Sequence, residues 1–171
     1  MADILAITLN IQAGQLTRKV THVSKNATIL HLKGLIELVM HVKASRQTLS
    51  FNGQVLDDNQ TVEFYNLTAE ATVMLAMTPL AGDPNFLIML ESGSRYHLVS
   101  VKETWLVEDL KAKIGRLWAV PATDVTLMTR NGEEMEDGFP LSAYLVSEDS
   151  TVGFKLNFGS VSQSLSAIKI S

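Results

Sequence analysis

The chain carries one unit written twice. Leu49 to Met77 reads LSFNGQVLDDNQTVEFYNLTAEATVMLAM, and Met128 to Leu156 reads MTRNGEEMEDGFPLSAYLVSEDSTVGFKL. At a single fixed offset Asn52 meets Asn131, Gly53 meets Gly132, Asp58 meets Asp137 and Tyr65 meets Tyr144. Thr72-Val73 meets Thr151-Val152. Apolar positions coincide as well: Leu56 with Met135, Val62 with Leu141, Leu67 with Val146, and Leu75 with Phe154. Upstream the offset changes by one, and Leu32-Lys33 and Ile36 then meet Leu110-Lys111 and Ile114. Self-similarity of this kind means two structural units of one type. Each holds roughly 80 residues, near the lower limit for a core without disulfides or metals.

The boundary lies in Thr78-Pro79-Leu80-Ala81-Gly82-Asp83-Pro84, where two prolines and a glycine break helix and strand alike. The expected domains are residues 1–78 and 85–158, with a linker at 79–84 and a Ser-rich, mobile tail at 159–171. In the first half, strands over 4–12 and 16–23 flank the hairpin signal Ala13-Gly14. Asn26 and Thr28 are caps before an apolar run over 29–42, read as a helix. A short strand at 49–51 precedes the turn dipeptide Asn52-Gly53, and a strand at 72–77 closes the half. The second half repeats this order with strands at 86–91, 96–101, 126–130 and 151–156 and a helix over 106–119. A further short strand is expected before the closing strand of each half. The fold class is α+β, one mixed sheet packed on one helix in each domain.

At 100° per residue the first helix turns Ile29, Leu32, Ile36, Val39 and Met40 toward the core. Leu30, Gly34 and Leu38 then fall on the outer side, four apart. Glycine inside a helix costs about 1 kcal/mol relative to alanine. Two outward leucines around it suggest an interface, with the other domain, a second copy or another protein as partner.

Other classes of function are excluded by composition. Fourteen Lys+Arg against 18 Asp+Glu give a net charge of −4, without the basic stripe of a nucleic-acid or anionic-membrane binder. There is no cysteine, hence no thiol catalysis and no zinc-thiolate or iron–sulfur site. No apolar run approaches the ~20 residues of a membrane span. The opening MADILAITLNI alternates like a strand and has no basic n-region. His22, His31, His41 and His97 are scattered without metal-ligand spacing, and no nucleophile or phosphate-binding motif occurs. The acidic run Glu133-Glu134-Met135-Glu136-Asp137 fits no calcium loop and reads as a solvated turn. No enzyme activity, catalytic residue, cofactor or metal is expected.

The order of elements and the residues at their junctions resemble ubiquitin. The first half shows Leu49, Phe51-Asn52-Gly53, Leu56-Asp57-Asp58, Thr61-Val62, Tyr65-Asn66 and Thr72-Val73-Met74-Leu75. These are similar to ubiquitin's third strand, its Phe-x-Gly turn, its Thr-Leu-x-x-Tyr-Asn segment and its closing strand. The second half supplies Leu110-Lys111-Ala112-Lys113-Ile114, Gly132, Met135-Glu136-Asp137-Gly138 and Tyr144. The resemblance spans both halves and implies two tandem β-grasp domains. A tandem pair of this length also resembles the interferon-induced double ubiquitin-like modifiers, with small tandem proteins of plants as a second comparison.

That resemblance implies two modes of action, conjugation through a C-terminal diglycine and recognition through an apolar sheet patch. This sequence departs from both. The arm after Leu156 reads Asn157-Phe158-Gly159-Ser160-Val161, a lone glycine, so attachment would require trimming to Gly159. Ser50 stands at the centre of the patch in the first half, flanked by Met74 and Ala76. Thr129, Gly153 and Lys155 stand there in the second, with no continuous apolar surface. The helix lysines Lys33 and Lys111 are expected in structural salt bridges. The functional expectation is a non-conjugated tandem interaction module that binds proteins of a ubiquitin-like or immune-signalling pathway. Its alternative is a modifier attached through Gly159. The interface residues are Leu30, Gly34, Leu38, Ser50, Met74 and Ala76, and the expected location is the cytoplasm, with the nucleus second.

Overall fold

A computed structural model of the chain describes residues 6–157. The start of the first expected strand, the tail at 159–171 and Gly159 lie outside the described residues. The chain divides into two compact units, one of residues up to Asp83 together with Ser142–Leu145, the other of Pro84–Leu141 and the residues from Val146 on. Each unit is a mixed sheet under one helix, the expected β-grasp arrangement.

The first unit runs β1 (Ala6–Ala13), β2 (Leu16–Ser24), α1 (Ile29–Met40), β3 (Gln47–Phe51), β4 (Gln54–Val55) and β5 (Thr72–Met77). Its strands lie in the order β2-β1-β5-β3-β4. β1 pairs antiparallel with β2 and parallel with β5. The second unit runs β6 (Phe86–Ser92), β7 (Arg95–Val101), α2 (Val107–Trp118), β8 (Val125–Met128) and β9 (Thr151–Leu156), in the order β7-β6-β9-β8. The expected short strand of this half does not form. Glu133-Glu134 replaces Gln54-Val55, and the segment meets β8 at one bridge, Met128 to Glu134, with the Thr129 N–H donating to Glu133 O and the Met135 N–H to Leu127 O.

Each helix is positioned by the same chemistry. Thr28 caps α1, its Oγ1 accepting the His31 N–H at 3.1 Å. At α2 the Asp109 carboxylate reaches back and accepts the Leu106 N–H at 2.9 Å. Leu32 and Ile36 in α1, and Leu110 and Ile114 in α2, are fully buried. Leu9, Ile11 and Leu49 in one unit, and Ile88, Leu90 and Leu127 in the other, are fully buried as well. Burying each such side chain contributes about 1.5–3 kcal/mol.

The repeated polar residues form the same bond twice. Lys33 Nζ lies 2.6 Å from Asp58 Oδ1, and Lys111 Nζ lies 2.8 Å from Asp137 Oδ1. A nearly buried ammonium pairs with the loop after β4 in the first case and with the loop after β8 in the second. This holds helix and turn in register. The Tyr65 hydroxyl accepts the Asp57 N–H at 2.8 Å and pins the same turn.

Two readings of α1 need correction. The helix ends at Met40, because His41 turns left-handed at φ 62° and its N–H returns to Glu37 O. Gln47 then holds the exit, Nε2 donating to Lys33 O and Val42 O at 2.9 Å each. Val39, beside exposed Leu38 in the last turn of α1, is exposed and does not join the core.

Gly34 sits in the middle of α1 with nothing within 4 Å of where a Cβ would stand. Gly34→Ala is therefore expected to stabilise the chain by about 0.5–1 kcal/mol through helix propensity and unfolded-state entropy. Urea denaturation monitored at α1 checks this.

Candidate functional site

With one face of each sheet committed to its helix, the opposite faces and the outer sides of the helices remain for recognition. On α1, Leu30 and Leu38 are exposed, Leu38 at 76%, on either side of the open Gly34. On the first sheet Ser50 lies opposite Met74, and Ala76 follows Met74 on the same face. Met74 is the one large apolar side chain exposed among the three, and neighbouring positions are polar: Thr72, Thr48, Asn10 and Gln12. The structure thus places the expected residues on two separate surfaces of the first unit, a helix face and a sheet face. It does not gather them into one site.

The second sheet differs. The reading at Thr129, Gly153 and Lys155 finds no apolar surface there, but the outer face is apolar one strand away. β6 is a run of apolar residues, Phe86-Leu87-Ile88-Met89-Leu90. Phe86, Ile88 and Leu90 are buried, so Leu87 and Met89 point outward. Met89 pairs with Leu98 and Glu91 with Tyr96 across the β6–β7 hairpin. Leu87, Tyr96 and Leu98 are 51%, 56% and 64% exposed. Together they leave roughly 300 Å² of apolar surface in water, the size at which exposed patches mark interaction sites.

The patch has a polar rim. A hollow of about 290 Å³ beside it is lined by Glu91, Tyr96, Thr129, Arg130, Thr151 and Gly153. Gly153 keeps its floor low, where the Met128 side chain passes 3.6 Å from the missing Cβ. An apolar centre bordered by an arginine and a carboxylate is the anatomy of a protein-binding surface. The signal for it was available in the sequence. A strand apolar at consecutive positions, not alternate ones, has two apolar faces.

The root of the C-terminal arm is held. The Asn157 N–H donates to Asp124 O, and Asn157 Nδ2 donates to Thr126 Oγ1. The corresponding exit of the first unit is clamped likewise. Arg46 Nε and Nη2 donate to Thr78 O at 3.0 and 2.7 Å.

Comparison with known proteins gives a family match over the first unit. Residues 7–80 match the Ubiquitin family. Two solved structures are similar. One is the N-terminal ubiquitin-like domain in the 4931431F19Rik protein, at 20% identity and a TM-score of 0.43, over 47% of this chain and 82% of that one. The other is the UBL domain of Plasmodium falciparum Dsk2, at 20% identity and a TM-score of 0.41, over 43% of this chain and 99% of that one. The first unit is a ubiquitin-like domain, and the chain as a whole is an α+β protein of two ubiquitin-like β-grasp sheets. Among the described residues no helix is long and apolar enough to cross a membrane.

Because Leu87 and Leu98 pack against no core, replacing both with serine is expected to change unfolding free energy by no more than about 0.5 kcal/mol each. Thermal denaturation checks this. A loss of several kcal/mol would show that the patch is structural.

Proposed function

We propose that the chain is a tandem ubiquitin-like interaction module, not an enzyme, that binds protein partners through exposed faces of its β-grasp domains without being conjugated. The observation that carries this is the outer face of the β6–β7 hairpin, where Leu87, Met89, Tyr96 and Leu98 form one apolar surface beside a polar hollow. The outer side of α1, with Leu30, Gly34 and Leu38, and the sheet face with Ser50, Met74 and Ala76 are proposed as secondary contact surfaces. The domain limits are proposed as residues 1–78 and 85–158 around a linker at 79–84, and the partners as proteins of a ubiquitin-like or immune-signalling pathway in the cytoplasm or nucleus.

The trimmed-modifier reading is weaker on geometric grounds. Gly159 stands two residues beyond Asn157, which is bonded to the sheet. Two residues reach at most about 7 Å. A conjugatable arm must thread an enzyme channel well beyond the domain surface, and this one is too short for that.

Two measurements test the reading. Incubation with ubiquitin-type activating enzyme and ATP is expected to leave the intact mass unchanged, with no adenylate or thioester. Affinity capture is expected to recover protein partners on the wild-type chain and to lose them on Leu87→Asp. A thioester through Gly159, or capture indifferent to Leu87→Asp, would contradict it.

A further inference from the structure

Asparagine followed by glycine occurs twice, at Asn52-Gly53 and Asn131-Gly132, at corresponding places in the two units. The pair has a chemistry of its own. The backbone nitrogen after an asparagine can attack the side-chain amide carbon and close a five-membered ring, and glycine leaves that nitrogen unshielded. From sequence the two pairs are equivalent. In the folded chain they are not.

Asn52 and Gly53 are the loop of the β3–β4 hairpin, between the paired Phe51 and Gln54. Both are exposed and both have positive φ, 52° and 79°, the pattern of a type I′ turn. The Gly53 N–H bonds nothing among the described residues, and nothing lies within 4 Å of where its Cβ would stand. Ring closure fixes ψ of the asparagine at about −120°, which at the φ of Asn52 is the first central position of a type II′ turn. A flip of the Asn52–Gly53 peptide reaches it, and a two-residue hairpin accepts either turn. β4 is two exposed residues long, so this end of the sheet opens readily. Asn131-Gly132 is held. The Gly132 N–H donates to Thr129 O at 2.9 Å, so the attacking nitrogen is occupied. The Thr129 N–H donates to Glu133 O at 2.8 Å, and Thr129 Oγ1 donates to Glu133 Oε1 at 2.7 Å. Asn131 has a negative φ, and ring closure there requires this bonded turn to open first.

We propose that Asn52 is a site of spontaneous covalent modification, converted through a succinimide to isoaspartate, and that Asn131 is spared. The Gly53 nitrogen attacks Asn52 Cγ and forms a new C–N bond. The side-chain amide C–N bond breaks, and its nitrogen leaves as ammonia with the proton from Gly53. Water then opens the ring at one of its two carbonyls. Opening at Cγ gives an ordinary aspartyl linkage. Opening at the backbone carbonyl leaves the chain running through Cγ, as isoaspartate with a free α-carboxylate. Either product puts a carboxylate at the tip of the β3–β4 hairpin, two residues from Ser50, and the second adds an atom to the backbone of the turn.

The test incubates the full chain at physiological temperature and mildly alkaline pH, then maps it by protease digestion and mass spectrometry. Isoaspartate is counted by methyl transfer from S-adenosylmethionine with a purified isoaspartyl methyltransferase. Residue 52 is expected to gain the mass of an amide-to-acid exchange about tenfold or more faster than residue 131, a ratio that one hydrogen bond on the attacking nitrogen is enough to produce. In denaturant the two are expected to react at similar rates, because only the fold separates them. Asn52→Gln, which would have to close a six-membered ring, is expected to stop the change at 52 and leave 131 as it was. Equal rates in the folded chain, a faster Asn131, or a preference for Asn52 that persists in denaturant overturns the proposal. Methylation that survives Asn52→Gln places the isoaspartate elsewhere and overturns it as well.

Discussion

Packing of a single helix across one face of each sheet is the constraint from which the rest follows. It consumes Leu32 and Ile36 in one unit and Leu110 and Ile114 in the other, together with every inward residue of the central strands. Alternation along a strand then assigns the remaining side chains to the opposite face, whatever their polarity. In the first sheet that face is mostly polar. In the second it is apolar along β6 and β7. Two units of one fold, built on one set of core residues, thus present different surfaces.

Most of the architecture was legible because the repeat doubles each signal. Lys33 and Asp58 align with Lys111 and Asp137, and both pairs form the same bond, so their recurrence reflected a physical requirement. The helix and strand positions followed from apolar spacing. The errors have local causes. Nothing in Val39-Met40-His41-Val42 announces a helix end, since the left-handed residue is histidine and not glycine. The pairing after β8 is reduced to a single bridge, and two adjacent glutamates stand there where the first half has Gln54-Val55.

The candidate surface was harder to read for a different reason. Comparison with ubiquitin directs attention to Thr129, Gly153 and Lys155, the positions where its own apolar patch would fall. The apolar surface of this chain lies on neighbouring strands, so the resemblance located the face but not the residues on it. The direct signal was the unbroken apolar run from Phe86 to Leu90, too apolar for a strand with one wet side. Exposure at Leu30 and Leu38, by contrast, follows from helical spacing alone.

Mapping a captured partner onto the full chain by amide chemical shifts tests the central claim most directly. The account predicts perturbations concentrated at Leu87, Met89, Tyr96, Leu98 and the hollow around Arg130, with the cores of both sheets unmoved. Perturbations centred on the outer side of α1 or on Ser50, Met74 and Ala76, with β6 and β7 silent, would contradict it.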